Sequence, residues 1–190
     1  MRFAQDDMPQ HHTYTPETLP AHLAHQRSAF IRMLWVDYSV YSPDYSLTPD
    51  PRTLFHEVYT QNDALVSSVS VIKTPITLGA DTFTCYGIAS VMTFPFWRGQ
   101  GYAGALMDRA NAFIHAQPDA DVGLLWTEVA PFYAQRGWQT LPGEPAVFGD
   151  PANPTVRGGA TTMMLFISEK AIAARPRFEA GPFHVGATSW

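Results

Sequence analysis

Apolar residues recur every three or four positions across residues 15–35, which is the spacing of one face of a helix. Thr15 is a suitable capping residue and a proline follows it, so we expect this helix to begin there. Residues 1–14 have no period of their own and are expected to form a flexible tail. Residues 39–52 are rich in Pro, Asp and Ser, which predicts a long loop after the helix.

Apolar and polar residues alternate from residue 53 onward, which is the period of β-strands. Strands are predicted at residues 54–59, 64–78 and 83–93, and the second is expected to break near Pro75. Short turns rich in Asn, Asp and Gly separate the three strands. Two consecutive hairpins of this kind predict an antiparallel sheet.

A glycine-rich segment follows the third strand and leads into a second helix. Residues 98–103 read Arg-Gly-Gln-Gly-Tyr-Ala, and helical spacing then continues to about His115. The rest of the chain predicts, in order, a strand at 122–126, a short helix at 130–136, a Pro- and Gly-rich loop at 142–160, a strand at 161–168, and a short helix with an irregular tail at 169–190. The strands on either side of the second helix form one βαβ unit with it.

The composition limits the classes of protein that fit this pattern. With 190 residues, 46% of them hydrophobic and 15% charged, the chain is expected to fold as one globular domain over residues 1–190. The 12 Lys and Arg against 17 Asp and Glu give a net charge of -5, which argues against nucleic-acid binding. Cys85 is the only cysteine, so no intrachain disulfide or multi-cysteine zinc site is expected. Because no apolar run approaches ~18 residues and no export signal is seen, we expect a cytoplasmic protein without a membrane partner.

The glycine-rich segment is suited to a pyrophosphate. A strand that runs through such a turn into a helix gathers unpaired backbone N–H groups at the positive end of the helix dipole. Arg98 would add a fixed positive charge and two parallel donors for phosphate oxygens. A tight strand-to-helix turn that holds no ligand is the alternative interpretation.

The same segment also spells a dinucleotide fingerprint. Gly99, Gly101 and Gly104 fit the pattern G-x-G-x-x-G, with Glu128 as a candidate acid after the next strand. Antiparallel hairpins before the turn and about one further strand after the βαβ unit argue against that fold. A nicotinamide-dependent oxidoreductase is therefore the weaker interpretation.

Two motifs in this order resemble the GNAT superfamily of acyl-CoA-dependent N-acetyltransferases. Residues 98–103 fit the family's phosphate motif (Gln/Arg)-x-x-Gly-x-(Gly/Ala), and residues 132–138 are similar to its Phe-Tyr-x-x-x-Gly-(Phe/Trp) signature. The resemblance covers about residues 53–138. It implies an α/β (α+β) fold, with a mixed, mostly antiparallel sheet flanked by helices and a parallel strand pair splayed at the coenzyme A cleft.

The resemblance also assigns roles to individual residues. The backbone of Val91, Met92 and Thr93 is expected to pair with the pantetheine arm of acetyl-CoA, and one N–H there to polarise the thioester carbonyl. The residues expected to wrap the pyrophosphate are Arg98, Gly99, Gln100, Gly101, Tyr102 and Ala103. Tyr133 is expected to donate a proton to the departing thiolate, although a core aromatic side chain is the alternative for this position.

The general base is tied to no motif. Glu128, just after the strand that borders the acceptor site in the family, is the leading candidate, and an exposed loop carboxylate is the alternative for it. The other candidates are Glu57, Asp37 and His56. His22 and His25 share a helix face without a third ligand, so no metal is expected.

These assignments predict an enzyme that moves an acetyl group from acetyl-CoA to a primary amine of a small molecule. Direct attack in a ternary complex is expected, because Cys85 lies mid-strand and would be too buried to carry the acyl group. A non-catalytic acyl-CoA-binding module of the same fold is the alternative, and a homodimer is left open. Tyr38, Tyr41 and Tyr45 would line an acceptor pocket or anchor the long loop.

The C-terminal residues 175–190 are weakly similar to the end of aminoglycoside 2'-N-acetyltransferases, which also finish on tryptophan. Those enzymes carry a glutamate on the fourth strand, where Ala89 aligns in this chain. Aminoglycosides are therefore one acceptor class among others.

Overall fold

The computed structural model describes residues 8–35, 50–188 and 190. Its helices are α1 (Ala21–Leu34), α2 (Tyr102–His115), α3 (Ala130–Ala134) and α4 (Glu169–Ala180). Its strands are β1 (Gln10–Tyr14), β2 (Thr53–Gln61), β3 (Ala64–Leu78), β4 (Asp81–Thr93), β5 (Val122–Thr127), β6 (Gln139–Thr140), β7 (Ala146–Phe148), β8 (Thr155–Val156), β9 (Thr161–Phe166) and β10 (Phe183–His184). One turn of 3-10 helix, Pro95–Trp97, lies between β4 and α2.

The strands form the mixed, mostly antiparallel sheet that the sequence predicts, and helices flank it. Hydrogen-bonded neighbours follow the order β6-β9-β5-β4-β3-β10-β7-β8, with β2 next to β3 and β1 next to β2. Strands β4 and β5 are parallel, as are β7 and β10. The β4–β5 register runs from Cys85 opposite Val122 to Gly87 opposite Leu124, and both strands continue beyond it, to Thr93 and Thr127.

The chain divides into two compact units. The first comprises Met1–Val71 and Ser90–Ala110, and the second comprises Ile72–Ala89 and Asn111–Trp190. In the first unit, α1 packs on the sheet through a small core of Leu23, Phe30, Ile31, Val58, Leu65 and Met92. A larger core in the second unit includes Cys85, which is fully buried. Among the described residues, no helix has the length and hydrophobicity to cross a membrane.

The first of these units corrects two predictions for the N-terminal region. Residues 10–14 are not a tail, because β1 pairs antiparallel with β2, from Gln10 opposite Thr60 to Tyr14 opposite His56. The first helix begins at Ala21 and not at Thr15, since residues 15–18 close a turn of their own before Pro20. Residues 1–7 and the loop predicted at 39–52, up to residue 49, lie outside the described residues.

Three further predictions were wrong in detail. β3 runs without a break through Pro75, because the fixed φ of proline fits an extended strand. The predicted loop at 142–160 contains β7 and β8, which pair with each other. The predicted irregular tail contains β10, which pairs with both β3 and β7.

The C-terminal residue is part of the core of the second unit. A side chain on Gly87 would come within 2.6 Å of the ring of Trp190 and within 2.7 Å of Ile72. The Trp190 ring also stands edge to face against Trp126, with centroids 4.7 Å apart. Glycine is therefore required at position 87, because the Trp190 ring and Ile72 lie too close to the backbone of β4 for a side chain to fit.

Candidate active site

The glycine-rich segment forms a turn that leads into α2. Gly99 and Gly101 have φ values of 75° and 87°, in the left-handed region that favours glycine. A Cβ atom on either residue would meet no atom within 4 Å, so conformation and not space requires glycine at both. The chain enters α2 directly from this turn.

The N-terminus of α2 is suited to an anion. The N–H of Ala105 bonds to the carbonyl of Gly101 at 2.9 Å, which begins the helical hydrogen-bond pattern. The N–H groups of Tyr102, Ala103 and Gly104 come before that bond, so the helix offers them no acceptor. No acidic residue lies in the first turn, and the helix dipole adds positive potential there.

Arg98 joins the glycine turn to the end of β4. Its Nε donates to the backbone carbonyl of Thr93 at 3.1 Å. This bond engages one of the five N–H donors of the guanidinium group. The structure therefore brings the predicted pyrophosphate segment and the predicted pantetheine segment together within the first unit.

The pantetheine segment itself is held by β3. The hydroxyl of Ser67 donates to the carbonyl of Met92 and contacts the hydroxyl of Thr93, both at 2.9 Å. The Met92 and Thr93 carbonyls therefore accept bonds from the side chains of Ser67 and Arg98. The pairing with pantetheine stays a prediction.

Ser90 marks a change of direction just before this segment. It has a φ of 51°, in the left-handed region that a serine rarely adopts. The four buried residues in the middle of β4, from Cys85 to Ile88, come before it, and the strand is only partly buried from Ala89 to Val91. Such strained residues in strands cluster at functional sites, which agrees with the role expected of residues 91–93.

The side chain of Tyr102 packs against other aromatic rings, and only its backbone is expected to contact the ligand. Its ring lies edge to face against Tyr59, with centroids 5.0 Å apart, and 6.0 Å from the ring of Trp97. Burial and the neighbouring Tyr59 hold its pKa above the ordinary value. These contacts fix the first residue of α2 against β2.

In the second unit, Tyr133 lies on α3 with 6% of its surface exposed. Burial raises the pKa of its phenol to about 12, and a hydrogen bond with the Thr127 side chain opposes that shift. Its neighbour Trp138 fills the core, because the ring lies 2.9 Å from where a Cβ on Gly123 would stand. In this motif, the indole of Trp138 is therefore a packing side chain.

The candidates for the general base are placed very differently. Glu128 is exposed in the connection between β5 and α3. The Glu57 carboxylate lies in the first unit and is bonded by His11 and, at 3.1 Å, by Thr13. Asp37 lies outside the described residues, as do Tyr38, Tyr41 and Tyr45.

His56 is a poor base for an amine. Its Nδ1 lies 2.8 Å from the hydroxyl of Ser70, which accepts a bond from Arg27 at 2.7 Å. Burial, followed by the charge of Arg27, lowers the pKa of His56 to about 3. A group with this pKa has almost no tendency to take the proton of an ammonium ion.

No metal centre emerges from the described part of the chain. His22 and His25 are exposed on α1, as the sequence suggests for a solvated helix face. The described residues contain no group of three or more His, Cys, Asp or Glu that could hold a metal ion.

Sequence reasoning missed several residues that support these segments. Ser67 holds the end of β4. Asn111 accepts a bond from the indole of Trp138 at 3.1 Å. Each bond joins positions that no motif spans, so the pattern of residues gave no signal for them.

Residues 13–141, more than half of the chain, match the family described as Acetyltransferase (GNAT) domain. The chain therefore belongs to the GNAT acetyltransferase family. No curated protein matches the sequence.

Solved structures of this fold are similar to the chain at low sequence identity. Escherichia coli ElaA is 16% identical with a TM-score of 0.57, and the match covers 83% of this chain and 99% of that one. The GNAT family N-acetyltransferase YhbS from E. coli, in complex with CoA, is 13% identical with a TM-score of 0.56, covering 99% and 94%. Arabidopsis thaliana NAA60, in complex with acetyl-CoA, is 10% identical with a TM-score of 0.57, covering 84% and 99%. At these identities the likeness concerns the fold.

Proposed function

We propose that the protein transfers an acetyl group from acetyl-CoA to a primary amine of a small molecule by direct attack in a ternary complex. The observation that carries this proposal is the glycine turn at the N-terminus of α2, bonded to the end of β4 through Arg98 and Thr93. Membership of the GNAT family and the CoA and acetyl-CoA complexes of similar structures support the same cosubstrate.

In the proposed binding mode, the first unit holds acetyl-CoA. The N–H groups of residues 99–103 and the guanidinium of Arg98 bind the pyrophosphate. The backbone of residues 91–93 pairs with the pantetheine arm, and an N–H there polarises the thioester carbonyl. A fixed donor at this carbonyl stabilises the negative charge that develops on its oxygen when the amine attacks.

In the proposed chemical step, the amine nitrogen attacks the thioester carbon and the carbon–sulfur bond breaks. Tyr133 gives its phenolic proton to the departing sulfur, and Glu128 takes the proton that the amine loses. With a pKa of about 12, the phenol is fully protonated at neutral pH and is available as a donor. The direct route is consistent with the complete burial of Cys85, which leaves this thiol inaccessible to an acyl group.

The cosubstrate is tested by thermal unfolding with acetyl-CoA, CoA, NAD and NADP in parallel. A ligand present at about 100 times its Kd adds about 2.7 kcal/mol of stability, which gives a clear rise in Tm. We expect a rise with acetyl-CoA and CoA. A rise with a dinucleotide alone would overturn the proposal, since the glycine turn would then serve another ligand.

Catalysis is tested with an amine panel that includes polyamines, aminoglycosides, aralkylamines and amino acid amides. We expect acetylation of at least one class, and a fall of about 100-fold in kcat for Tyr133→Phe at unchanged acetyl-CoA binding. Binding of acetyl-CoA without turnover across the panel would instead assign the chain as a non-catalytic acyl-CoA-binding module.

A further inference from the structure

Two phenylalanine side chains lie on the surface between β4 and the glycine turn of the first unit. Phe94 is 48% exposed, and its ring stacks on Phe30 of α1 with centroids 5.3 Å apart. Phe96 is 68% exposed. An aromatic ring left in water forgoes the favourable free energy that its burial would supply. A ligand that covers the Phe96 ring would therefore be stabilised by it.

The backbone at Phe96 is held in place on both sides. Phe96 is the middle residue of the 3-10 turn Pro95–Trp97, and the N–H of Arg98 donates to the carbonyl of Pro95 at 3.2 Å. The side-chain amide of Gln100 donates to the carbonyl of Phe96 itself at 3.2 Å. A ring presented from a backbone that is already ordered loses little conformational entropy when a ligand binds.

The ring of Phe96 is also connected to the residues that shape the glycine turn. It stands edge to face with Trp97, with centroids 5.1 Å apart and an interplanar angle of 86°. Trp97 in turn stands edge to face with Tyr102, the first residue of α2. An edge-to-face contact supports a ring without covering both of its faces. The structure therefore presents a supported and exposed aromatic ring at the entrance to the glycine turn.

Coenzyme A carries a group that matches this ring. Its adenine base is flat and aromatic, and one ribose unit joins the base to the pyrophosphate. Phe96 precedes Gly99 by three residues, so the chain between them spans at most about 11 Å. With the pyrophosphate on the N–H groups of residues 99–103, the ribose brings the base to the side of the turn where Phe96 lies.

We propose that the ring of Phe96 is the surface on which the adenine base of acetyl-CoA stacks. This inference rests on the proposed function, because it requires the pyrophosphate in the glycine turn. A base stacked on an aromatic side chain strengthens binding by about 5- to 150-fold. Phe96 therefore selects a donor that carries the nucleotide over one whose acyl group is attached to phosphopantetheine alone.

The test is a calorimetric comparison of CoA with an abasic analogue that keeps the pyrophosphate and the ribose phosphate and lacks only the adenine. We expect Phe96→Ala to weaken the binding of CoA about 10-fold. The same substitution should change the affinity for the abasic analogue less than about twofold, since the base that the ring contacts is gone.

Two further substitutions separate stacking from general apolar contact. Phe96→Trp keeps an aromatic face and should bind CoA at least as tightly as wild type. Phe96→Leu keeps apolar bulk without a flat ring and should resemble Phe96→Ala. Met33→Ala is the matched control, because Met33 is 69% exposed on α1 of the same unit, and it should bind CoA as wild type does. Tm is measured for every variant and should change little, since the substituted side chains are exposed.

The outcomes separate this inference from the proposed function. If wild type and Phe96→Ala bind CoA equally, the adenine does not stack on Phe96 while the proposed function stands. If Phe96→Ala weakens CoA and the abasic analogue alike, the ring supports the turn and not the base, and the inference fails. If Phe96→Leu binds CoA like wild type, an apolar contact replaces the proposed stacking. If wild type binds neither ligand, the glycine turn does not hold the pyrophosphate and the proposed function itself is wrong.

Discussion

At the scale of single residues, His56 shows how the interior of the first unit selects a protonation state. The Ser70 hydroxyl lies between His56 and the Arg27 guanidinium, which only donates. A proton on the imidazole would place a second positive charge beside Arg27 in a buried position. The interior therefore keeps this histidine neutral.

This protonation state predicts a pH-dependent stability. The folded-state pKa of His56 is about 3, below its unfolded value of 6.5, so the unfolded chain binds the extra proton between these values. The contribution of His56 to stability is complete above pH ~6.5 and is lost as pH falls toward ~3, at about 1.4 kcal/mol per pH unit. Urea unfolding of His56→Gln between these limits should show a correspondingly shallower decline than wild type.

His22→Gln, which removes an exposed histidine of α1, is the control for this measurement. It should decline with pH as wild type does. If wild type and His56→Gln lose stability with the same slope, the buried histidine is protonated in the folded state and the account given for Ser70 and Arg27 is wrong.

At the scale of elements, the ring of Trp190 packs directly against the backbone of β4 at Gly87. Gly87→Ala would place a methyl group 2.6 Å from the Trp190 ring, so we expect a loss of about 1–3 kcal/mol in the free energy of unfolding. Trp190→Ala should cost about 3–5 kcal/mol through the cavity it leaves. Both are measured by urea unfolding.

The coupling between the two positions is the sharper part of this test. In the Trp190→Ala background the ring is absent, so Gly87→Ala should cost less than in wild type, although Ile72 still lies close. Equal costs in both backgrounds would show that Trp190 does not lie over Gly87.

The turn between β4 and α2 carries the prediction most directly tied to ligand binding. Arg98→Gln removes the charge and the Nε bond to Thr93, so we expect acetyl-CoA to bind about 10-fold more weakly by calorimetry. Arg98→Lys keeps the positive charge but not the planar guanidinium, so its affinity for acetyl-CoA should lie between those of wild type and Arg98→Gln. Arg109→Lys, at an exposed position on α2, is the control and should bind as wild type. If Arg98→Gln binds acetyl-CoA with unchanged affinity, the Arg98 side chain does not take part in binding.

The elements also show where sequence reasoning is sufficient and where it is not. The turn before α2 could be predicted from its glycines, and Gly99 and Gly101 have positive φ values there. The strands β7, β8 and β10 could not, since two or three residues are too short to display a period. The start of α1 was missed because the residues at 15–18 satisfy one another in a local turn.

The same limit applies to the candidate site. Tyr133 could be proposed from a local motif, whereas the bond from the Trp138 indole to Asn111 joins positions 27 apart in the chain. Ser67 and Met92 are brought together by strand pairing across 25 positions. Bonds of this kind follow from the register of the sheet, and the register is not visible in any single segment.

At the scale of the whole molecule, the net charge of -5 bears on the acceptor more than on the cosubstrate. Acetyl-CoA is itself anionic, so its binding must come from the local donors of the glycine turn and Arg98. A cationic amine, in contrast, is attracted by the summed negative charge as it approaches. The attraction grows with the number of positive charges on the amine and is screened by salt.

This difference predicts a salt effect that distinguishes acceptors by charge. Raising the ionic strength from about 0.01 M to about 0.1 M shortens the Debye length from about 30 Å to about 10 Å. With acetyl-CoA saturating, kcat/KM for a triamine should fall about threefold or more over this range, because encounter is no longer accelerated. A monoamine of equal length is the control and should change less. If both amines respond alike, the net charge does not steer the acceptor, and its selection lies in contacts at the site alone.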